Sequence, residues 1–317
     1  MRLLTVPDVE ALPDLQWRIE GILPQPSLVI LYGEPGCGKT FVALSMAFAA
    51  ADGQNWLGRR TPKGSVLYIA AEGLLGLKIR LQAHRRIHFT GLEGVRFLGE
   101  AVRISSESEV TSLVLLLDQE QFRPDLIIVD TLARVSLGKD ENSAKEIGEV
   151  VAGLESLKRE TGATVLVIHH TRKNGDSERG SSALRGAADV MIKCEKAENL
   201  EDLGIKITCS KMKDAEPFNM ISVMMEKVAL GDGRSSLVLG QPFDGGLNVA
   251  GHHAAKILEL ITERFAECGA TNGELQKAFT EADHGSKSTF DRAFRDLKSK
   301  GKLQEEKREG KTRYRIA

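Results

Sequence analysis

The sequence predicts an α/β protein: a mostly parallel sheet with helices on both faces, followed by a small C-terminal winged-helix domain. Three observations predict this. Short apolar runs recur with helical stretches between them, as strands buried on both faces require. A glycine-rich turn, LYGEPGCGKT at residues 31–40, joins the first such run to a helix. After residue 250 the pattern changes to helices that end in two short strand-like pieces. The 317 residues, 42% hydrophobic, suffice for one large domain over 1–245 and a small one over 250–317.

In chain order, residues 1–26 read as a lead-in ending in GILPQPS. Residues 27–32 read as a buried strand, and 41–51 as the helix after the glycine turn. Residues 65–70 (SVLYIA), 126–129 (LIIV) and 164–168 (TVLVI) are further strands. Residues 144–159 carry Ile147, Val150, Val151, Leu154 and Leu157 at helical spacing. Residues 190–193, 205–209 and 221–226 are shorter strand candidates. Residues 241–251 (QPFDGGLNVAG) read as a linker. Helices are expected over 253–265, 271–281 and 286–300. Thr271 and Glu274 form a capping-box pattern, and Phe290, Phe294 and Leu297 face inward. Residues 302–306 and 312–316 are strand-like, with 307–311 as the turn.

No apolar run approaches the roughly 18 residues of a spanning helix. The first residues are too acidic and too broken by proline for a secretory signal. A cytoplasmic protein with no membrane partner is expected. Cys37, Cys194, Cys209 and Cys268 form no CxxC pair, which argues against a zinc site or a disulfide framework. The net charge of −1 hides an asymmetry: residues 286–317 hold eleven Lys/Arg against five Asp/Glu. A basic tail on an acidic body fits an anionic partner or a solubilising role.

Gly33-Glu34-Pro35-Gly36-Cys37-Gly38-Lys39-Thr40 fits the phosphate-loop pattern G-x-x-x-x-G-K-[ST] at every fixed position. Its glycines let backbone N–H groups wrap a polyphosphate at a helix N-terminus. Lys39 can reach the β and γ phosphates, and the Thr40 hydroxyl can bind Mg²⁺. Phe41 closes the candidate ATP-contact set. Asp130 ends an apolar strand, which places a metal-holding carboxylate at the sheet's carboxyl edge. Glu72 follows strand 65–70 at the same edge and can align and deprotonate an attacking water. His169, the first polar residue after TVLVI, is the candidate reporter of the γ phosphate.

These pieces together resemble the RecA-like ATPases, and within them the hexameric replicative helicases of the plasmid RepA type and their phage relatives. The resemblance rests on LYGEPGCGKT, VLYIAAEG, LIIVDTLAR, VIHHTRK, RGSSALRGAADV and SKMKDAEPF, across roughly residues 17–240. It implies that Glu72 is the catalytic base and His169 the sensor. It implies a homo-oligomeric ring with ATP between neighbours. Lys211 and Lys213 then reach into the next subunit's site. Relatives often carry arginine at the second of these places, and an ammonium cannot make arginine's forked contact. Arg185 is therefore a second candidate. The loops after Asp130 and His170 face the channel in that family, which assigns Arg134, Arg172, Lys173 and Arg179 to single-stranded DNA.

In the tail, Lys287, Arg292 and Arg295 on the third helix, with Lys307 and Arg308 in the wing, could meet duplex DNA; protein docking is the alternative. The leading expectation is an ATP-driven, ring-forming helicase or translocase on single-stranded DNA, in replication of a mobile element. A non-motor DNA-binding ATPase, such as an initiator, helicase loader or recombination mediator, is the alternative.

Overall fold

The chain opens with a short helix, α1 (Val6–Glu10), and a hairpin of β1 (Gln16–Ile19) and β2 (Leu23–Gln25). β3 (Leu28–Gly33) leads through the glycine turn into α2 (Lys39–Asp52). Then come β4 (Val66–Ala70), α3 (Leu75–His88), β5 (Val95–Leu98), α4 (Glu107–Gln119) and β6 (Leu126–Asp130). α5 (Leu132–Val135), α6 (Ala144–Thr161), β7 (Thr164–His170), α7 (Ser182–Ala187) and β8 (Val190–Lys196) follow. β9 (Gly204–Met212), β10 (Ile221–Gly231) and β11 (Arg234–Phe243) finish the first part of the chain. This computed structural model describes residues 3–72, 74–88, 92–170, 182–197, 203–231, 233–243, 249–266, 268–282, 284, 286–308 and 310–316, with backbone alone at 182, 243, 249–252, 255, 292 and 296.

The main sheet has nine strands in the order β11-β10-β9-β8-β3-β7-β6-β4-β5. From β8 to β5 along that order every pairing is parallel; β9 is antiparallel to β8, and β10 to β9. Side chains alternate between two cores. Val29, Leu31, Tyr68, Ile128 and Ile168 face α2, while Leu28, Ile30, Ile127, Val165 and Val167 face α4 and α6. The mostly parallel, two-sided sheet is the architecture the sequence predicts. α6 shows why: Ile147, Val150, Leu154 and Leu157 make one buried stripe, and Ser143 caps its start.

Three expectations need correction. The lead-in over 1–26 contains a strand pair whose Ile19, Ile22 and Leu23 are fully buried. Interleaved Arg18, Glu20 and Pro24 hide that pattern from a periodicity search. The linker over 241–251 is shorter than read, because β11 runs to Phe243 and a helix begins at Val249. The turn over 307–311 is tighter, because Lys307 and Arg308 pair with Thr312 and Lys311 in the ladder.

The chain separates into two compact units, with 202–242 joining the first and 243–317 forming the bulk of the second. The second unit holds α8 (Val249–Arg264), α9 (Asn272–Glu281), α10 (Lys287–Ser299) and a hairpin of β12 (Leu303–Arg308) and β13 (Lys311–Ile316). Its core gathers Ile257, Ile261, Leu275, Phe279, Phe290, Phe294, Leu297 and Tyr314. Phe294 meets Tyr314 edge-on at 4.7 Å. The capping box forms as read: the Thr271 N–H donates to Glu274 Oε2 at 2.7 Å, and the Glu274 N–H to Thr271 Oγ1 at 3.3 Å. Among the described residues no helix is long and apolar enough to cross a membrane.

Candidate functional site

Four neighbouring strands, β3, β7, β6 and β4, end at one edge of the sheet. Register sets Gly33 beside His170, and Ala70 beside Asp130. The phosphate loop, Asp130, Glu72 and the strand-end histidines therefore emerge side by side. This is the carboxyl edge, where such sheets bind ligands.

The loop itself is shaped by contact and by conformation. Gly38 is the N-cap of α2 with φ +98°, and a Cβ there would lie 2.4 Å from Ile205 Cδ1. Glu34, Pro35 and Gly36 are exposed, while Cys37 and Lys39 are buried. The Lys39 ammonium donates to the Gly33 carbonyl at 2.9 Å and the Glu34 carbonyl at 2.7 Å. Cys37 and Cys194 each donate S–H to the other's carbonyl, at 3.1 and 3.4 Å. The Cys194 side chain, with Lys39 close by, pulls the Cys37 thiol down to about 7 against its burial. Phe41 carries the Arg80 guanidinium 4.9 Å from its ring centre, and a cleft runs on past Phe48, His84 and Trp56. Sequence reasoning missed Arg80, which lies in a helix that gave no clear periodicity.

Asp130 is buried. Its Oδ2 accepts the Tyr68 hydroxyl at 2.7 Å, and its Oδ1 is buried with no hydrogen-bond partner. Burial raises this carboxyl above the usual carboxylate value, Tyr68 and Thr40 hydroxyls pull it back, and the Glu72 charge adds to the rise. A buried carboxylate oxygen left unmatched, with the Thr40 hydroxyl acting on the same carboxylate, supplies hard oxygens of the kind that fit Mg²⁺. Glu72 is exposed in the turn after β4, and its Oε1 accepts the Thr131 hydroxyl at 3.0 Å.

The histidine assignment changes. His169 has the parity of Val165 and Val167, so it points away from α2, and it is buried at 2% exposure. His170 has the parity of Leu166 and Ile168, on the phosphate-loop face, and is only partly buried. Burial, and then the Lys39 charge, lower its pKa below the ordinary imidazole value, and the Glu72 charge opposes them. Its Nδ1 is buried without a hydrogen-bond partner. Of the two strand-end histidines, His170 is the one on the phosphate-loop face of the sheet. Strand alternation, counted from Leu166, would have found it.

Lys211, Lys213 and Arg185 lie elsewhere. Met212 pairs with Val190 at the start of β8, so this cluster occupies the amino edge, the far side from the chain's own phosphate loop. Six residues of strand separate the two edges by about 20 Å. Lys211 Nζ donates to the carbonyls of Arg185, Gly186 and Ala188 at 2.8, 3.2 and 2.5 Å. It closes the end of α7, which corrects its reading as an outward-reaching group. Lys213 is exposed at 62%, with Asp189 3.8 Å away, and Arg185 is exposed.

Among the candidate nucleic-acid contacts, Arg134 is exposed on α5. Arg172, Lys173 and Arg179 lie outside the described residues, as does the Arg292 side chain. Lys287, Arg295 and Lys307 are exposed in the second unit. Glu306 takes the Arg308 guanidinium at 3.2 Å and Glu305 the Lys298 ammonium at 2.6 Å, so the hairpin's own acids offset part of the basic face.

Residues 3–176 match the family model described as "AAA domain". A KaiC-like protein from the hyperthermophilic archaea Pyrococcus horikoshii OT3 is a similar solved structure, at 17% identity and a TM-score of 0.49, covering 70% of this chain and 93% of that one.

Proposed function

Because the chain belongs to the AAA domain family of P-loop ATPases, we propose that it hydrolyses ATP and couples the hydrolysis to movement along single-stranded DNA as a ring of identical subunits. One observation carries the hydrolytic half: Lys39, Thr40, Asp130, Glu72 and His170 converge on one sheet edge. The loop N–H groups and Lys39 hold the phosphates. Thr40 and Asp130 Oδ1 would hold Mg²⁺, which when bound neutralises phosphate charge. Glu72, held through one oxygen, keeps the other for the proton of the attacking water. His170, which feels the charges of both Lys39 and Glu72, would be the group that senses the γ phosphate.

A ring accounts for the amino-edge cluster. Lys213 and Arg185 cannot serve their own subunit's loop, but a neighbour's loop can face them. Lys211 then acts by fixing α7. Arg134 and the basic residues 172, 173 and 179 are the proposed single-strand contacts. The second unit, read as a winged helix, would bring Lys287, Arg295 and Lys307, and by the sequence pattern Arg292, to duplex DNA. The appended unit equally favours a non-motor DNA-binding ATPase, such as an initiator, helicase loader or recombination mediator.

Turnover measured with and without single-stranded DNA tests the coupling, and strand displacement from a forked duplex separates motor from non-motor. Stimulation with displacement supports the motor. Stimulation without displacement supports the non-motor reading. No stimulation removes DNA as the ligand.

A further inference from the structure

Two hydroxyls at the sheet edge are spent in an unusual way. β4 and β6 are neighbours, with Ala70 opposite Asp130. Tyr68 of β4 donates to Asp130 Oδ2, the carboxylate of β6, at 2.7 Å. Thr131, just past β6, donates to Glu72 Oε1, the carboxylate just past β4, at 3.0 Å. Each strand thus steadies the acid presented by the other. Both donors are buried, Tyr68 at 0% and Thr131 at 2% exposure.

Thr131 occupies the N-cap of α5, where a threonine hydroxyl ordinarily accepts from the second or third helical N–H. Here it makes no such bond, and the cap goes without its side chain. The hydroxyl is given instead to Glu72. The two carboxylates carry like charge near one another, so each gains from a donor that fixes its direction. Each donor takes one oxygen only. Asp130 keeps Oδ1 buried and unmatched, and Glu72 keeps its second oxygen in an exposed turn.

We propose that Thr131 is the positioning residue for Glu72 and Tyr68 the positioning residue for Asp130, a crossed pair of hydroxyls that aims one carboxylate at the attacking water and the other at the metal. This inference rests on the ATPase reading above. A misplacement of the base by about 1 Å is enough to cost on the order of 100-fold in rate. Loss of an outer partner of a metal-binding carboxylate costs about 10–100-fold in metal affinity or activity.

The experiment compares wild type, Thr131→Val, Thr131→Ser and Tyr68→Phe, with Glu72→Gln as the control for the underlying reading. Thr131→Val keeps the shape and removes the hydroxyl. Its kcat is expected to fall about 10–100-fold, with binding of a fluorescent ATP analogue unchanged. Thr131→Ser restores the rate. Combined with Glu72→Gln, Thr131→Val adds no further loss, because residues acting as a unit are not additive. Tyr68→Phe is read without turnover, as the Mg²⁺ concentration at half-maximal analogue binding, expected to rise about tenfold. Tryptophan fluorescence melting shows that each variant is folded. The inference is overturned if Thr131→Val turns over like wild type, if Thr131→Ser is as slow as Thr131→Val, or if Tyr68→Phe leaves the Mg²⁺ midpoint in place. If wild type itself does not hydrolyse ATP, or Glu72→Gln hydrolyses it at the wild-type rate, the ATPase reading falls and takes this inference with it.

Discussion

Gly33 stands where β3 turns into the phosphate loop, and replacing it by alanine tests how tightly that turn is built. A Cβ there would lie 2.0 Å from the Cys194 carbonyl oxygen and 2.9 Å from Cys37 Sγ. Ordinary contact begins near 3.4 Å, so β8 and the loop must part by about 1.4 Å at the sheet edge. The nearest atom is backbone, so no side-chain rotation relieves the clash. Overpacking of this kind costs about 1–3 kcal/mol. At about 2–4 °C per kcal/mol for a unit of this size, the melting temperature should fall by about 2–12 °C. Both tryptophans, Trp17 and Trp56, lie in the first unit, so their fluorescence reports its melting apart from the second. Saturating ATP at 100 times its Kd should stabilise wild type by about 2.7 kcal/mol, and Gly33→Ala by less, because its loop N–H groups are displaced. A variant that melts within about 1 °C of wild type and gains the same ATP stabilisation would refute the close approach described here.

Other expectations follow from single sites. In α6, Gly148→Ala meets open space and should stabilise by about 0.5–1 kcal/mol, whereas Gly153→Ala would set a Cβ against the Ile104 carbonyl and should destabilise; urea midpoints by tryptophan fluorescence check the opposite signs. His84 packs against Phe48 with ring centres 4.3 Å apart and tilted by 44°, and burial, with the charge of His88, lowers its pKa from 6.5 to about 4. The fold holds that ring neutral, so its contribution is intact above pH 6.5 and is lost as the pH falls from 6.5 to about 4, where the unfolded chain takes the proton first. His84→Phe should lose less stability than wild type across that window, as read by urea midpoints at each pH. His170→Ala should lower kcat and leave the fold intact, whereas His169→Ala should mainly lower the melting temperature; equal effects of the two would contradict the parity assignment.

Much of this was legible in sequence because certain chemistry needs certain spacing. The phosphate loop, Asp130 and Glu72 each follow an apolar run and precede a turn, and the sheet carries all three to one edge. The histidine reading overlooked a geometric point. "First polar residue after the run" ignores that strand side chains alternate, so one position decides which face is reached. Lys211 looked outward because a terminal lysine beside a strand carries no sign of the helix whose carbonyls it will meet. The β1–β2 hairpin was invisible because its buried Ile19, Ile22 and Leu23 follow no regular period. Thr131 and Tyr68 were out of reach, since their partners lie 59 and 62 residues away in sequence.

The central claim is that Glu72 lines up the water that splits ATP held by the loop around Lys39. Single-turnover hydrolysis by Glu72→Gln, alongside its affinity for a fluorescent ATP analogue, tests it most directly. The account predicts an unchanged affinity and a hydrolysis rate lower by about 10²–10⁴-fold. A rate equal to wild type at the same affinity would contradict it.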